Sequence, residues 1–473
     1  MMKCKPLLLA VALALSGCAA TEGTKPLSVD NSPAFQLPAY ETLTLDNGLT
    51  LYLMQQKEVP LITVNAVVRA GAVNDQLPGI SAMTAESLLL GAGGKSKRAI
   101  EDKVDFLGAS LNVKAGKEGS YVSSKFMAKD TEQMLPLFAD VLRRPDFDAA
   151  EFAKLKQREI GGLIQAKDSP RAVVGNYFAE LVYGDHPYGN ASGGNSDSIA
   201  ALELSQVKGF YREFYQPGNT AIAVVGDFDV AEMKSKLSAA FADWQNHAKP
   251  QTVELKQALP APTKARVLLV DKPDATETTF VIGGVGVTNN NPDAVGLTVV
   301  NTILGGRFTS WLNDELRVNA GLTYGARSGF VSFSESGLFQ MSTFTKTETT
   351  EAAIDLALKT YGRLWQQGID QATLDSAKAY VKGQFPPDFE TSGQLAGLLT
   401  DMYLNGFDNS YINDFEKKVD SLTLAESQRL VNTYFPKDGL QFVLIGNAAK
   451  IAPLAAKYGE VTQISIKDVG FGG

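Results

Sequence analysis

Histidine and cysteine are the residue types this chain has least of. Its 473 residues include two histidines, His186 and His247, and two cysteines, Cys4 and Cys18. Catalytic zinc normally takes three protein ligands, with imidazole chief among them, so two scattered histidines are too few for such a site. We expect His186 to be structural and His247 to be solvated. Both cysteines lie near the amino terminus, so the body of the chain has neither a disulfide nor a thiol nucleophile.

Basic residues are outnumbered, and no apolar run is long enough to cross a membrane. The formal net charge is −8 and the pI is near 5.1. Such a charge repels phosphate backbones and argues against a nucleic-acid partner. The apolar run at Leu7–Leu15 is about half the roughly 20 residues that a transmembrane helix needs. With 44% hydrophobic residues, the chain has the composition of a globular protein of two domains.

The amino terminus has the pattern of an export signal. Lys3 and Lys5 precede the apolar run, and Leu15-Ser16-Gly17-Cys18 looks like a bacterial lipobox, in which the cysteine is acylated and becomes the new amino terminus. An ordinary signal peptide that ends near a cysteine is the alternative. The lipobox predicts a lipoprotein of the bacterial cell envelope that faces the periplasm. Because Ala19 and Ala20 follow the cysteine instead of an acidic residue, we expect the outer membrane.

The body of the chain reads as two copies of one α+β unit. Asp46-Asn47-Gly48 between alternating apolar runs predicts a hairpin. The block at 214–227 recurs at 434–447, with its closing glycines 220 positions apart. We expect two duplicated domains, each a mainly antiparallel sheet backed by helices on one face. The predicted segments are a lipoprotein signal peptide at 1–17, a tether at 18–39, an N-terminal domain at 40–250, a linker at 251–264 and a C-terminal domain at 265–473.

A series of short motifs, in a fixed order, gives this chain a family resemblance. It resembles the insulinase-type zinc peptidases, the M16 family, and in particular their two-domain, processing-peptidase-like branch. The resemblance runs from about residue 40 to about residue 455. The motifs that carry it are Leu45-Asp46-Asn47-Gly48-Leu49, Val68-Arg69-Ala70-Gly71-Ala72, Gly79-Ile80, Tyr183-Gly184-Asp185-His186-Pro187-Tyr188-Gly189, Glu315-Leu316-Arg317 with Gly321-Leu322-Thr323-Tyr324, and Phe385-Pro386 to Phe389-Glu390-Thr391.

The family's metal motif is degenerate in this chain. The resemblance implies His-x-x-Glu-His on the helix after Gly79, with a downstream glutamate as third ligand. The motif positions fall on Ala82, Ala85 and Glu86, and the third ligand falls near Gly161-Gly162. One carboxylate does not hold zinc, so we predict no metal and no cofactor in this chain. We expect Glu86 to be an ordinary solvated or capping carboxylate.

A second functional motif of the family, a pair of residues, is intact in this chain. The resemblance implies an arginine and a tyrosine seven residues apart that project from the second domain and contact the substrate carbonyl; these are Arg317 and Tyr324. A guanidinium and a phenol are hydrogen-bond donors able to stabilise an oxyanion. Two alternatives are an ion pair of Arg317 with Asp314 or Glu315, and a half-buried strand position for Tyr324.

The resemblance therefore implies a subunit that completes a protease without owning its metal. We expect a non-catalytic, substrate-binding subunit of a heteromeric zinc metallopeptidase, inactive alone, that acts on peptides in the cell envelope. Its partner would be a homologous M16-type chain that carries His-x-x-Glu-His and the zinc, and its membrane contact would be the lipid anchor. The alternative is a peptide-binding or scaffold lipoprotein without a proteolytic role.

Overall fold

The computed structural model describes residues 34–472, except 248, 252, 254 and 256–261. The predicted signal peptide, the predicted acylation site Cys18, most of the tether and part of the linker lie outside the described residues. Within the described part, no helix combines the length and apolarity needed to cross a membrane.

Between residues 34 and 241, the described part of the first half contains eight strands and eight α-helices. The strands are β1 Glu41–Thr44, β2 Thr50–Gln55, β3 Leu61–Val68, β4 Gly91–Ala92, β5 Lys95–Ser96, β6 Ser110–Ala115, β7 Ser120–Met127 and β8 Thr220–Gly226. The helices are α1 Ile80–Ser87, α2 Lys97–Phe106, α3 Thr131–Arg143, α4 Ala149–Ala166, α5 Pro170–Tyr183, α6 Ser196–Ala201, α7 Leu204–Phe214 and α8 Val230–Phe241.

The second half, from residue 266, contains the remaining strands and helices of the described chain. The strands are β9 Arg266–Asp271, β10 Glu277–Val285, β11 Arg327–Ser332, β12 Gly337–Lys346, β13 Gln441–Gly446 and β14 Glu460–Ser465. The helices are α9 Ala294–Asn301, α10 Trp311–Asn313, α11 Thr350–Gln366, α12 Gln371–Gln384, α13 Ser392–Asn405, α14 Ser410–Asn413, α15 Phe415–Ser421, α16 Leu424–Tyr434 and α17 Ala448–Ala455. Two π-helical turns, Thr302–Gly306 and Asp314–Asn319, follow α9 and α10.

Each half builds one six-stranded sheet, and the two sheets share a strand plan. Their orders are β1-β2-β8-β3-β7-β6 and β14-β9-β13-β10-β12-β11. The late strands β8 and β13 take equivalent interior positions, each parallel to one neighbour and antiparallel to the other. The outermost strands differ, because β1 is antiparallel to β2 whereas β14 is parallel to β9. The internal repeat and the mainly antiparallel α+β fold are thereby confirmed.

Helices cover both faces of each sheet, not one face as the sequence suggests. Most helices of a half pack on one face of their own sheet and form its main core. The other face receives a helix from the opposite half. Helix α5 packs against the second sheet, and α13 packs against the first. Sheets covered on both faces have strands that are apolar almost throughout, and β8 and β13 are buried along their whole length.

This exchange of helices is what joins the two halves. From α5, Val173, Val174, Tyr177 and Phe178 are at most 7% exposed. From α13, the buried side chains include Leu395, Leu399 and Met402. Burying one large apolar side chain contributes about 1.5–3 kcal/mol, so the two exchanged helices hold the halves together far more strongly than surface ion pairs would.

Candidate functional site

The helix that would carry the zinc motif is intact as a helix. Its N-cap, Gly79, has φ +92°, and a Cβ there would lie 2.7 Å from Ile199 Cδ1. Asp75 accepts hydrogen bonds from the backbone N–H groups of Gly79 (2.7 Å) and Ser81 (3.0 Å). Burial raises the pKa of Asp75 to about 7, although these hydrogen bonds act in the opposite direction. The loss of the motif therefore concerns the ligands and leaves the scaffold in place.

The side chains at the motif positions do not fit a zinc ion. Ala82 and Ala85 offer methyl groups, and the Glu86 carboxylate lies 3.7 Å from Arg158 Nη2. On α4, Gly161 and Gly162 face open space, since a Cβ at either would meet no atom within 4 Å. In the part of the chain that the structure describes, no group of three or more His, Cys, Asp or Glu side chains is placed to hold a metal.

An arginine and a second glutamate occupy this region, and sequence reasoning missed both. Arg158 also pairs with Glu159, with 3.1 Å between Nε and Oε1. Burial raises the pKa of the Glu86 carboxyl, and the charge of Glu159 adds to this, while Arg158 opposes it. Glu159 and Arg158 lie three and four positions before Gly162 on α4. That spacing places both side chains on the same helical face as Gly162. It is the feature of the sequence from which their position near the motif helix could have been predicted.

Neither histidine belongs to a group of three or more potential metal ligands among the described residues. His186 is 5% exposed, its Nδ1 accepts a hydrogen bond from the Tyr188 N–H (3.2 Å), and its Nε2 lies 3.2 Å from the Leu255 carbonyl oxygen. Its ring also packs against Tyr183. His247 is exposed and donates its backbone N–H to Gln216 (2.9 Å). These positions agree with the structural and solvated roles expected for them.

Arg317 and Tyr324 line one recess of about 710 Å³ in the second half. Arg317 belongs to the π-helical turn Asp314–Asn319, a type of irregularity that is frequent at functional sites. Tyr324 follows in the loop before β11 and is 82% exposed. Neither alternative from the sequence holds. Glu315 pairs with Arg363 instead (3.3 Å), and Tyr324 is not half-buried.

Both side chains are available to a ligand. The Arg317 side chain makes no ion pair and no hydrogen bond with any described residue, and its guanidinium carbon lies 4.5 Å from the ring centroid of Phe308. The Tyr324 hydroxyl likewise has no partner among the described residues. The guanidinium therefore keeps its N–H donors free beside an aromatic ring, and the phenol keeps its O–H donor free.

Threonine side chains of β12 hold the loop that carries Tyr324. Thr345 donates its hydroxyl to the Leu322 carbonyl (2.7 Å), and Thr343 donates to the Gly325 carbonyl (2.8 Å). Gly321, at φ +62°, supplies the left-handed turn that begins the loop. The backbone on both sides of Tyr324 is thus fixed while its side chain projects from the surface. Two hydrogen-bond donors that line one recess suit an anionic or carbonyl oxygen.

Comparison with known proteins identifies the family. The family model described as "Insulinase (Peptidase family M16)" matches residues 52–194, and the one described as "Peptidase M16 inactive domain" matches residues 201–381. The chain belongs to the M16 peptidase family. The family resemblance and the two-domain M16 fold are thereby confirmed.

Individual M16 relatives match over most of the chain. "Zinc protease PqqE" of Helicobacter pylori is 27% identical over 414 residues, which cover 84% of this chain and 91% of the relative. "Non-peptidase homolog YmxG" of the same organism is 24% identical, covering 72% and 78%. The crystal structure of a peptidase M16 inactive domain from Pseudomonas fluorescens is 27% identical, with a TM-score of 0.80, and the match covers 86% of this chain and 98% of that one.

Within the M16 family, this chain is a member of the inactive type. The helix that carries the family's zinc motif reads Ala82, Ala85 and Glu86 at the motif positions. The inactive-domain match spans residues 201–381 and includes both Arg317 and Tyr324. What the chain presents is therefore the M16 scaffold, an ion-paired carboxylate in place of a metal site, and an open Arg/Tyr recess.

Proposed function

We propose that this chain is the non-catalytic, substrate-binding subunit of a heteromeric M16-type zinc metallopeptidase. The observation that carries the proposal is the contrast between its two halves. In the first half, the motif positions hold two alanines and a carboxylate paired with Arg158. In the second half, Tyr324 is 82% exposed beside Arg317. Two hydrogen-bond donors without a nucleophile can contribute to catalysis when another chain supplies the nucleophile.

The chemistry of the pair suits a peptide substrate. When hydroxide attacks a peptide carbonyl, negative charge develops on its oxygen, and donors fixed around that oxygen stabilise the transition state. Arg317 would give a charged N–H donor and Tyr324 a neutral O–H donor to the same oxygen. The metal and the activated water would come from a homologous chain with His-x-x-Glu-His.

Exposed apolar side chains near the recess support a partner. Phe308 is 65% exposed, Val318 is 64% exposed, and Tyr380 is 40% exposed. Phe308 contacts the Arg317 guanidinium, and Arg307 lies over the Tyr380 ring at 5.9 Å. Aromatic and arginine side chains are the types enriched at the centres of protein interfaces. A second subunit that closes over the recess would bury them.

The proposed location is the periplasmic face of the outer membrane, with peptides as substrates. Acylation of Cys18 would supply the anchor, and the residues up to about 39 would tether the body. A net charge of −8 fits a protein that does not associate with nucleic acid.

Purification from membranes, followed by reconstitution, tests the proposal. The chain without residues 1–18 should bind well under one zinc per molecule by elemental analysis after dialysis, and should not cleave unfolded peptides alone. A homologous subunit with the zinc motif should co-purify with the full-length chain, and the pair should cleave peptides. One tightly held zinc that is lost, together with peptidase activity, in His186→Ala would overturn the proposal.

A peptide-binding or scaffold lipoprotein is the second candidate, and the name of one relative favours it. The Helicobacter pylori relative that is 24% identical is described as a non-peptidase homolog. This candidate predicts peptide binding in the recess and no zinc-bearing partner. Cleavage by a reconstituted pair that depends on Arg317 would exclude it.

A further inference from the structure

The recess around Tyr324 is lined by residues of the second half, but two of them are contacted from the first half. The ring of Tyr324 stacks on Phe344 of β12, with centroids 6.4 Å apart and planes 30° apart. Phe344 and Glu277 both line the recess. Each of these two residues is contacted by one side chain from the first half, that of Arg171.

Arg171 reaches across the junction from the first turn of α5. Its guanidinium carbon lies 3.3 Å from the centroid of the Phe344 ring, a distance typical of a flat stack. Its Nη2 donates to Glu277 Oε2 at 2.9 Å. The face of the Arg171 guanidinium thus packs on the Phe344 ring beside Tyr324, and its edge binds the Glu277 carboxylate, which lines the same recess. A lysine has no such planar group.

The packing of helix α5 fixes the backbone position from which the Arg171 side chain extends. The helix begins at Pro170, and its next turns bury Val174 and Phe178 against the second sheet. The Arg171 side chain itself is 54% exposed, and its partner Glu277 is 45% exposed. An ion pair with that exposure adds little to stability, so a role limited to holding the halves together does not account for the double contact.

We propose that Arg171 is a positioning residue for Tyr324. Arg171 contacts Phe344, and Phe344 packs against the ring of Tyr324. The orientation of the Tyr324 hydroxyl therefore depends on how the two halves pack against each other. This inference rests on the proposed function of Tyr324. It adds that the Arg/Tyr site, although lined by the second half, is supported from the first half, so that a shift of α5 relative to the second sheet changes the activity of the site.

A spectroscopic experiment on the isolated chain tests the positioning without catalysis. Tyr324 is replaced by 3-fluorotyrosine, and its ¹⁹F resonance is recorded in the native and urea-denatured chains. Arg171→Ala should move the native resonance toward the denatured value, and Arg171→Lys should do the same because it lacks the flat group. The matched control is Arg266→Ala, which removes another link to α5, the 2.7 Å hydrogen bond to the Leu181 carbonyl, away from the recess. A resonance unmoved by Arg171→Ala overturns the proposal.

A double-mutant cycle of Arg171 and Tyr324, measured by the kinetics of the reconstituted pair, is the second test. Arg171→Ala should lower kcat by about tenfold or more with KM nearly unchanged, since small misplacements of catalytic groups are costly. In the Tyr324→Phe background, the same change should have no further effect, because the hydroxyl that it positions is gone. Equal losses in both backgrounds overturn the proposal. If Tyr324→Phe alone has no effect, the proposed function fails, while the ¹⁹F arm still decides whether Arg171 positions the ring.

Discussion

At the residue scale, the proposed function rests on two side chains. Arg317 and Tyr324 share a recess, and each keeps its hydrogen-bond donors free of the described residues. Glu86, by contrast, is held by Arg158 at 3.7 Å. The charge of Arg158 favours the ionised carboxylate, while burial and the charge of Glu159 raise the pKa of Glu86. The free donors and the occupied carboxylate belong to opposite halves of the chain.

Substitution of the pair should affect turnover more than binding. In the reconstituted complex, Arg317→Ala and Tyr324→Phe should each lower kcat by about 10²–10³, the usual cost of removing an oxyanion donor, with a smaller change in KM. Arg317→Lys should not restore activity, because a point charge lacks the planar fork. Steady-state kinetics on unfolded peptides measure the effect.

Two controls accompany this prediction. Thermal melting should show near-normal folding of each variant, and Arg98→Ala, which changes an arginine whose side chain is 89% exposed on α2, should leave kcat unchanged. Unchanged turnover in both Arg317→Ala and Tyr324→Phe would favour the scaffold candidate.

At the element scale, α5 and α13 decide whether the halves act as one body. Each lies against the sheet of the other half, and α13 also forms polar contacts there. Asn65 of β3 donates to the Thr400 hydroxyl at 2.8 Å, and the hydroxyls of Thr63 and Ser392 lie 2.9 Å apart. Because each sheet needs the other half's helix to cover its second face, we expect the two halves to unfold together.

Truncation of a buried α13 side chain should destabilise both halves. Leu399 is fully buried against the first sheet, and Leu399→Ala should lower the free energy of unfolding by about 2–5 kcal/mol. The matched control is Ile164→Ala on α4, where the side chain is 61% exposed and the change should stay within about 0.5 kcal/mol. Urea denaturation followed by circular dichroism measures both. If the chain unfolds in two separate transitions and Leu399→Ala shifts only one of them, the two halves do not unfold as one cooperative unit.

At the scale of the whole molecule, the amino-terminal lipid would set where the protein works. Cys18→Ser should abolish fatty-acid labelling and prevent the protein from fractionating with the outer membrane, because acyl chains would be its anchor. Cys4→Ser is the matched control, since Cys4 lies in the segment predicted to be cleaved, and it should leave labelling intact. Labelling and membrane association that persist in Cys18→Ser would refute the lipobox.

Local patterns in the sequence predict several individual elements of the first half. Alternating apolar residues predict a strand at Leu61–Val68, which matches β3, and helical periodicity predicts a helix at Arg98–Leu107, which is shifted by one residue from α2. The same periodicity predicts a helix at Ile80–Leu90, which is too long, since α1 ends at Ser87 and a tight turn follows. These agreements follow from period-2 and period-3.6 patterns, which depend on neighbours in the chain.

By itself, the sequence determined the duplication, the family and the absence of His-x-x-Glu-His, and it predicts Arg317 and Tyr324 as a functional pair. Each of these depends on residue type and spacing along the chain. Only the tertiary structure decided that α5 and α13 exchange sheets, that Arg158 pairs with Glu86, and that Arg171 reaches the wall of the tyrosine recess. These contacts join residues from distant elements. Amphipathic periodicity tells which face of a helix is buried, but it carries no information on which sheet buries it.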